Sequence, residues 1–320
     1  MIVRWGLGEL PGVLDQLGIE RPFLIASDRW SELELPAGGR WTEVPSDRVD
    51  EIATKASNAD GLLAVGGGSA IDLTKAVSAA TRLPVVSVPT TYSGSEWASN
   101  FGIRDPARRM RGGGDGAHLA GIVYEPELTL GLPLAESVGT ALNALAHCAE
   151  ALYVTGRSDE ADAFALEGAR RIGAALPRVA ADGGDLDART ELLHGAAAAG
   201  HALGLAGLGL GHAMAQAIGG RYGLPHGALN AICLPAALRF NEPVASEEIA
   251  RFPEALGTRD PVARVQELAR LGGFERLRDF GVPEGDLPEL AAATAERRGA
   301  KANPRAASPE EIEGLLRTIW

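Results

Sequence analysis

The chain has 320 residues, 46% of them hydrophobic, and a formal net charge of −12. That length exceeds one ordinary core and implies two domains, while the acidic balance excludes a nucleic-acid partner, which requires a basic face. No apolar run approaches the roughly 20 residues of a membrane span, and the opening MIVRWGLGEL lacks a signal-peptide core; a cytoplasmic protein with no membrane partner is expected.

Strand and helix signals alternate through residues 1–132. Residues 21–27 (RPFLIAS) form an apolar run ending at Asp28, which predicts a buried strand. Residues 47–57 follow as an amphipathic helix. Residues 61–65 (GLLAV) predict a second buried strand, closed by Gly66-Gly67-Gly68-Ser69 and followed by the helical segment AIDLTKAVSAATR. Residues 84–88 (PVVSV) give a third strand, closed by Pro89-Thr90-Thr91. This order predicts a mostly parallel sheet flanked by helices, with ligands outside the carboxyl ends of the strands. From Pro133 onward, Ala/Leu-rich segments at helical period occupy 135–154, 158–176, 186–218, 227–240, 260–272, 287–298 and 308–319. The expected fold is therefore an α/β domain, 1–132, followed by an all-helical domain, 133–320.

Between strand and helix, Gly66-Gly67-Gly68-Ser69 has the form of a phosphate cradle. Missing Cβ atoms let the backbone approach a pyrophosphate, and a helix N-terminus offers free N–H groups. It matches neither G-x-G-x-x-G nor a Walker A pattern, and a tight turn without ligand is the alternative. The run GLGLG at 207–211 has no preceding strand and reads as close helix packing. Asp28 either accepts from an adenosine ribose, favouring NAD over NADP, or caps a turn. The heptapeptide Thr90-Thr91-Tyr92-Ser93-Gly94-Ser95-Glu96 concentrates hydroxyls suited to phosphate, ribose or carboxamide.

Three of the six histidines stand in paired or exposed-mouth settings. His147 follows Asn143 by four residues and His212 precedes Gln216 by four, so each pair shares a helix face. His226 follows a proline at the mouth of the next helix. A shared site built from His147, His212 and His226 is expected. His194 and His201 read as structural or exposed, and His118 as solvent-facing. Arg108, Arg109 and Arg111 read as a solvated loop, with a substrate carboxylate as the alternative use. Cys148 and Cys233 read as buried hydrophobes, not as a disulfide or a nucleophile.

Taken together, GGGSAIDLTK, PTTYSGSE, YEPELTLGLP, NALAHCAEALY, GLPHGALN and NPRAASPEEIEGLL resemble the iron-containing alcohol dehydrogenase superfamily, with its dehydroquinate synthase-like fold. The seven-residue TTYSGSE and the Asn143 of NALAHCAEALY are most similar to the maleylacetate reductase branch. The resemblance implies an N-terminal dinucleotide domain, a C-terminal helical domain and a cleft between them. It places Asp28, Gly67, Gly68, Ser69, Thr90, Thr91 and Ser95 along an NAD(H) site, with NADP(H) as the alternative.

Three departures qualify that implication. The alcohol dehydrogenases bind their metal with an aspartate and three histidines, where this chain has Asn143, His147, His212 and His226. Without the anionic ligand Fe²⁺ is disfavoured, although three imidazoles and water suit Zn²⁺. Gln216 occupies a position where relatives commonly carry another histidine, and a carboxamide carries no proton near neutral pH. The stretch from Asp28 to Asp60 is shorter than the family's second strand–helix unit. The resulting expectation is a homodimeric NAD(P)H-dependent reductase of a small oxo-acid, without a catalytic metal, with His147, His212, His226, Asn143 and Gln216 in catalysis. Two alternatives are a metal-dependent alcohol or aldehyde dehydrogenase and a non-redox member using the same cleft.

Overall fold

The computed structural model describes residues 1–320 and divides into two compact units, one of Met1–Thr91 with Ser95–Gly131, the other of Tyr92–Gly94 with Leu132–Trp320. In chain order the first contains β1 (Ile2–Trp5), α1 (Leu10–Gln16), β2 (Pro22–Ile25), β3 (Gly39–Trp41), α2 (Val49–Lys55), β4 (Gly61–Gly66), α3 (Gly68–Thr81), β5 (Val85–Pro89), β6 (Phe101–Arg104), β7 (Met110–Gly114) and β8 (Leu119–Tyr124). Six strands form a parallel sheet in the order β1-β8-β5-β4-β2-β3.

The strand pleat sends alternate residues to two cores. Leu24, Leu63, Val86 and Val88 join Leu10, Val13 and Leu14 of α1 on one face. Phe23, Ile25, Leu62 and Val85 meet Ile52 of α2 and Leu73 and Val77 of α3 on the other. Burial on both faces explains why these strands read as continuous apolar runs. The chain leaves β2 toward one edge and β4 toward the other, so the ends of β2 and β4 flank the switch point where such sheets bind ligands. The second strand–helix unit is short but complete, with three residues in β3 and seven in α2.

Sequence periodicity missed β1, β3, β8 and the antiparallel hairpin of β6 and β7. β1 and β3 are too short to show a period, and the hairpin's returning strand is MRGGG, whose glycines carry no pattern.

The second unit contains helices only. These are α4 (Leu134–Ala151), α5 (Asp159–Ala181), α6 (Leu186–Ala206), α7 (Leu210–Tyr222), α8 (His226–Asn241), α9 (Ser246–Ile249), α10 (Arg251–Ala255), α11 (Pro261–Arg270), α12 (Leu287–Ala295), α13 (Arg298–Lys301) and α14 (Pro309–Ile319). The segment expected as one helix over 186–218 is two, bent by 99° at the break between α6 and α7. No single helix is long and apolar enough to cross a membrane.

Candidate active site

In the sheet unit the turn after β4 brings Gly67 against Thr91. A Cβ on Gly67 would lie 2.7 Å from Thr91 Cγ2, so only glycine fits this close approach. The Thr90 N–H donates to Gly66 O at 3.0 Å, tying the end of β5 to the same turn. Thr91 Oγ1 is buried with no hydrogen-bond partner, and α3 begins at Gly68 with no side-chain cap on its first N–H groups. An orphan hydroxyl beside an uncapped helix start suits a pyrophosphate, and Gly67, Gly68, Ser69 and Thr91 are the residues that could hold one there. Asp28 is exposed, at the first position of a short 3₁₀ turn beyond β2.

Ser95 has a different setting. Its hydroxyl donates to Asp72 Oδ1 at 2.5 Å and accepts from Lys75 Nζ at 2.9 Å. Lys75, itself buried, also donates to the carbonyls of Ser95, Ala98 and Asn100 and pairs with Asp72 at 2.8 Å. The sequence reading passed over Asp72 and Lys75, although both sit on the face of the helix opened by the glycine turn.

In the helical unit α4 carries Asn143, His147 and Glu150, α7 carries His212 and Gln216, and α8 carries His226 and Asn230. The structure brings the three histidines together: the rings of His147 and His212 stack with centroids 4.7 Å apart, and His226 lies 5.9 Å from His212. Glu150, which sequence reasoning missed, is fully buried. It accepts from His212 Nδ1 at 2.6 Å and from the N–H groups of Gly209 and His212 at 2.7 and 3.2 Å. A Cβ on Gly209 or Gly211 would approach that carboxylate within 3.0 Å. The glycines of GLGLG therefore admit a carboxylate to the free N–H groups at the buried start of α7, besides allowing helices to approach. An anion there is favoured by the helix dipole.

Two carboxamides orient the other rings. Asn143 Nδ2 donates to Ser93 O at 2.9 Å and lies 3.4 Å from His147 Nε2. Asn143 Oδ1 accepts from Asn230 Nδ2 at 2.7 Å, which also lies 3.0 Å from His226 Nε2. Amide N–H groups facing Nε2 place the proton of neutral His147 and His226 on Nδ1, whereas Glu150 places that of neutral His212 on Nδ1 and leaves Nε2 as an acceptor. His212 Nε2 and His147 Nδ1 are buried without partners, which points to a ligand. Burial, then the neighbouring His212 and His226, push His147 well below the usual imidazole pKa, so it is neutral at physiological pH. The Asn230 signal was present, since it follows His226 at the same four-residue spacing that links Asn143 to His147.

The metal implied by the alcohol dehydrogenase pattern does not fit these donors. Asn143 presents an N–H toward His147, and its oxygen is occupied by Asn230. The planes of His147 and His212 are within 17° of parallel, so their in-plane lone pairs do not converge at the roughly 2.0–2.1 Å that a shared ion requires.

The remaining residues make separate contacts. Gln216 Oε1 accepts from Arg297 Nη1 at 3.5 Å. His118 is exposed, His194 is partly buried, and His201 packs its ring 4.0 Å from Phe164. Arg111 pairs with Asp105 in the β6–β7 hairpin, with Arg108 and Arg109 exposed at its turn. Both cysteines are free and buried, with burial pushing both thiols up.

Comparison with known proteins gives the same pattern. The profile "Fe-containing alcohol dehydrogenase family, C-terminal" matches residues 137–320, and "Iron-containing alcohol dehydrogenase" matches residues 39–116. Maleylacetate reductase of Burkholderia cepacia is 38% identical over 276 residues, covering 85% of this chain and 78% of that protein. Maleylacetate reductase of Pseudomonas knackmussii is 34% identical over 329 residues, covering 98% and 93%. The crystal structure of maleylacetate reductase from Agrobacterium tumefaciens superposes with a TM-score of 0.87 at 29% identity, covering 100% of this chain and 95% of that one.

Proposed function

Because this chain belongs to the iron-containing alcohol dehydrogenase family, in its maleylacetate reductase branch, we propose that its NAD(P)H-dependent reductase chemistry is directed at a small oxo-acid of the maleylacetate kind, at an activated C=C or C=O and without a catalytic metal. One observation carries the metal-free part: the imidazoles are set by Glu150, Asn143 and Asn230, a donor set arranged for proton and hydrogen-bond chemistry. We take NAD(H) over NADP(H), because the Asp28 carboxylate following β2 would repel a 2′-phosphate. Two free buried cysteines suit the reducing cytoplasm. A homodimer completes the reading, checked by light scattering at twice the chain mass.

A bound nicotinamide cofactor would supply the hydride. Gly67, Gly68, Ser69, Thr90 and Thr91 would hold its phosphates, and Asp72 with Lys75 fixes the Ser95 segment. On the helical unit, neutral His147 offers Nδ1–H to the oxygen that gains charge as carbon accepts hydride. His212, once it holds a second proton, donates from Nε2 while Glu150 balances the ring's charge at Nδ1. Asn143 holds His147 in place, and His226 with Asn230 closes the same polar cluster. Gln216 binds without exchanging protons.

Loss of one such donor typically costs about 10²–10³ in kcat. Purified protein is expected to consume NADH with maleylacetate, and His212→Ala to lose turnover by that factor at unchanged NADH affinity. Full turnover by the variant would remove His212 from the reaction, and absence of NADH binding by the native protein would favour the non-redox alternative.

A further inference from the structure

Arg297 is a half-buried guanidinium in an acidic chain, yet no carboxylate pairs with it. Its only side-chain contact is Nη1 to Gln216 Oε1 at 3.5 Å, and its Nε is buried without a partner. Arg221, on the same helix α7 as Gln216, shows the ordinary solution, with Asp286 at 3.1 Å and Glu289 at 2.6 Å. Desolvation lowers the Arg297 pKa, and no neighbouring charge offsets it. A partly desolvated cation with an idle N–H is costly unless an anion reaches it.

Its position narrows the choice of anion. Gln216 follows His212 by one helical turn, which puts their Cβ atoms about 5–6 Å apart on one face. Arg297 also heads the short α13, where a Cβ on Gly299 would meet Gly209 O at 2.5 Å, so this segment presses on the start of α7. The guanidinium therefore meets α7 at the residue one turn beyond His212, whose Nε2 is unpartnered.

We propose that Arg297, with Gln216 beside it, is the carboxylate subsite of the substrate, gripping an acid group while the neighbouring carbonyl or alkene lies against the histidines. A guanidinium fork matches a carboxylate with two parallel hydrogen bonds, which fixes orientation as well as charge. Gln216 supplies a further N–H in place of a titrating group. The subsite serves the reductase reading above and rests on it for its chemistry, though not for its affinity for anions.

The test uses adipate, a saturated dicarboxylate that cannot be reduced, titrated calorimetrically into the NADH-loaded protein. Native protein is expected to bind it, Arg297→Met to bind about 10- to 100-fold more weakly, and Arg297→Lys, which keeps the charge and guards against a folding artefact, to fall between. NADH affinity is expected to be unchanged, and the KM for maleylacetate to rise in Arg297→Met more than kcat falls. Equal adipate affinity in native and Met proteins, no binding by the native protein, or a matching loss of NADH affinity would each overturn the assignment. Adipate binding that depends on Arg297, without NADH consumption on maleylacetate, would support the subsite and contradict the reductase reading. Turnover of maleylacetate with a KM indifferent to Arg297 would do the reverse.

Discussion

In the sheet unit the positions that matter are set by backbone: a glycine packed on Thr91, an uncapped helix start, and a strand end tied to Gly66 O at 3.0 Å. In the helical unit they are set by buried polar side chains that come from distant parts of the chain, Glu150 and His212 being 62 residues apart. In the proposed function the first arrangement binds a cofactor whose phosphates are the same in every turnover. The second must hold protons at chosen nitrogens, and this requires partners for each ring. Backbone sites tolerate changes in neighbouring side chains, whereas side-chain networks fail as a unit.

That contrast makes Glu150 the most sensitive position. Replacing it by alanine strands His212 Nδ1 and the Gly209 N–H in a dry interior, and breaking such a buried pair costs about 3–5 kcal/mol; chemical denaturation measures it. Glu150→Gln is expected to cost less, because its amide oxygen still accepts from Gly209. It removes the charge that fixes the ring, so nitrogen-detected NMR is expected to show His212 leaving the single Nδ1–H tautomer of the native protein. In the sheet unit, Gly67→Val drives a side chain into Thr91 and is expected to cost about 1–3 kcal/mol, with weaker NADH binding and no change at the histidines. NADH affinity equal to native would place the phosphates elsewhere.

The glycine turn was legible because GGGS directly follows a buried apolar run and directly precedes a helix; all its determinants are local. The histidine cluster was legible in part, since Asn143–His147 and His212–Gln216 announce themselves at four-residue spacing. Glu150 was not, because its partners lie across 59 and 62 residues and a buried glutamate in AHCAEALY looks like any helical polar residue. The break between α6 and α7 was hidden for the same reason. Its sequence is Ala, Leu and Gly throughout, and the carboxylate that satisfies the freed N–H groups comes from α4. The bend at Gly207–Gly209 is thus a tertiary decision. Arg297 carried no local signal at all, as what marks it is the acid it lacks.

Two smaller effects probe the side-chain network further. Asn143→Asp removes the N–H that Ser93 O accepts and sets a carboxylate against that carbonyl, with an expected loss of about 1–3 kcal/mol. The same change restores the anionic ligand of the alcohol dehydrogenases, but the stacked His147 and His212 rings still do not converge on one ion, so added Zn²⁺ is expected to leave the Tm of this variant unchanged. The smallest effect concerns acid. His147 has a depressed pKa when folded, so below its ordinary value of 6.5 the unfolded chain takes up a proton that the folded chain refuses. Its contribution is therefore complete above pH 6.5 and is lost as pH falls, by at most about 1.4 kcal/mol per pH unit. Thermal unfolding between pH 8 and 5.5 is expected to fall more steeply for the native protein than for His147→Gln.

The decisive measurement is the turnover of maleylacetate and NADH by protein stripped with a chelator and shown by elemental analysis to hold no divalent metal. Imidazoles held by a carboxylate and two carboxamides are expected to sustain the full native rate in that state. A rate that disappears on stripping and returns with one equivalent of Zn²⁺ or Fe²⁺ would contradict them as the reacting groups.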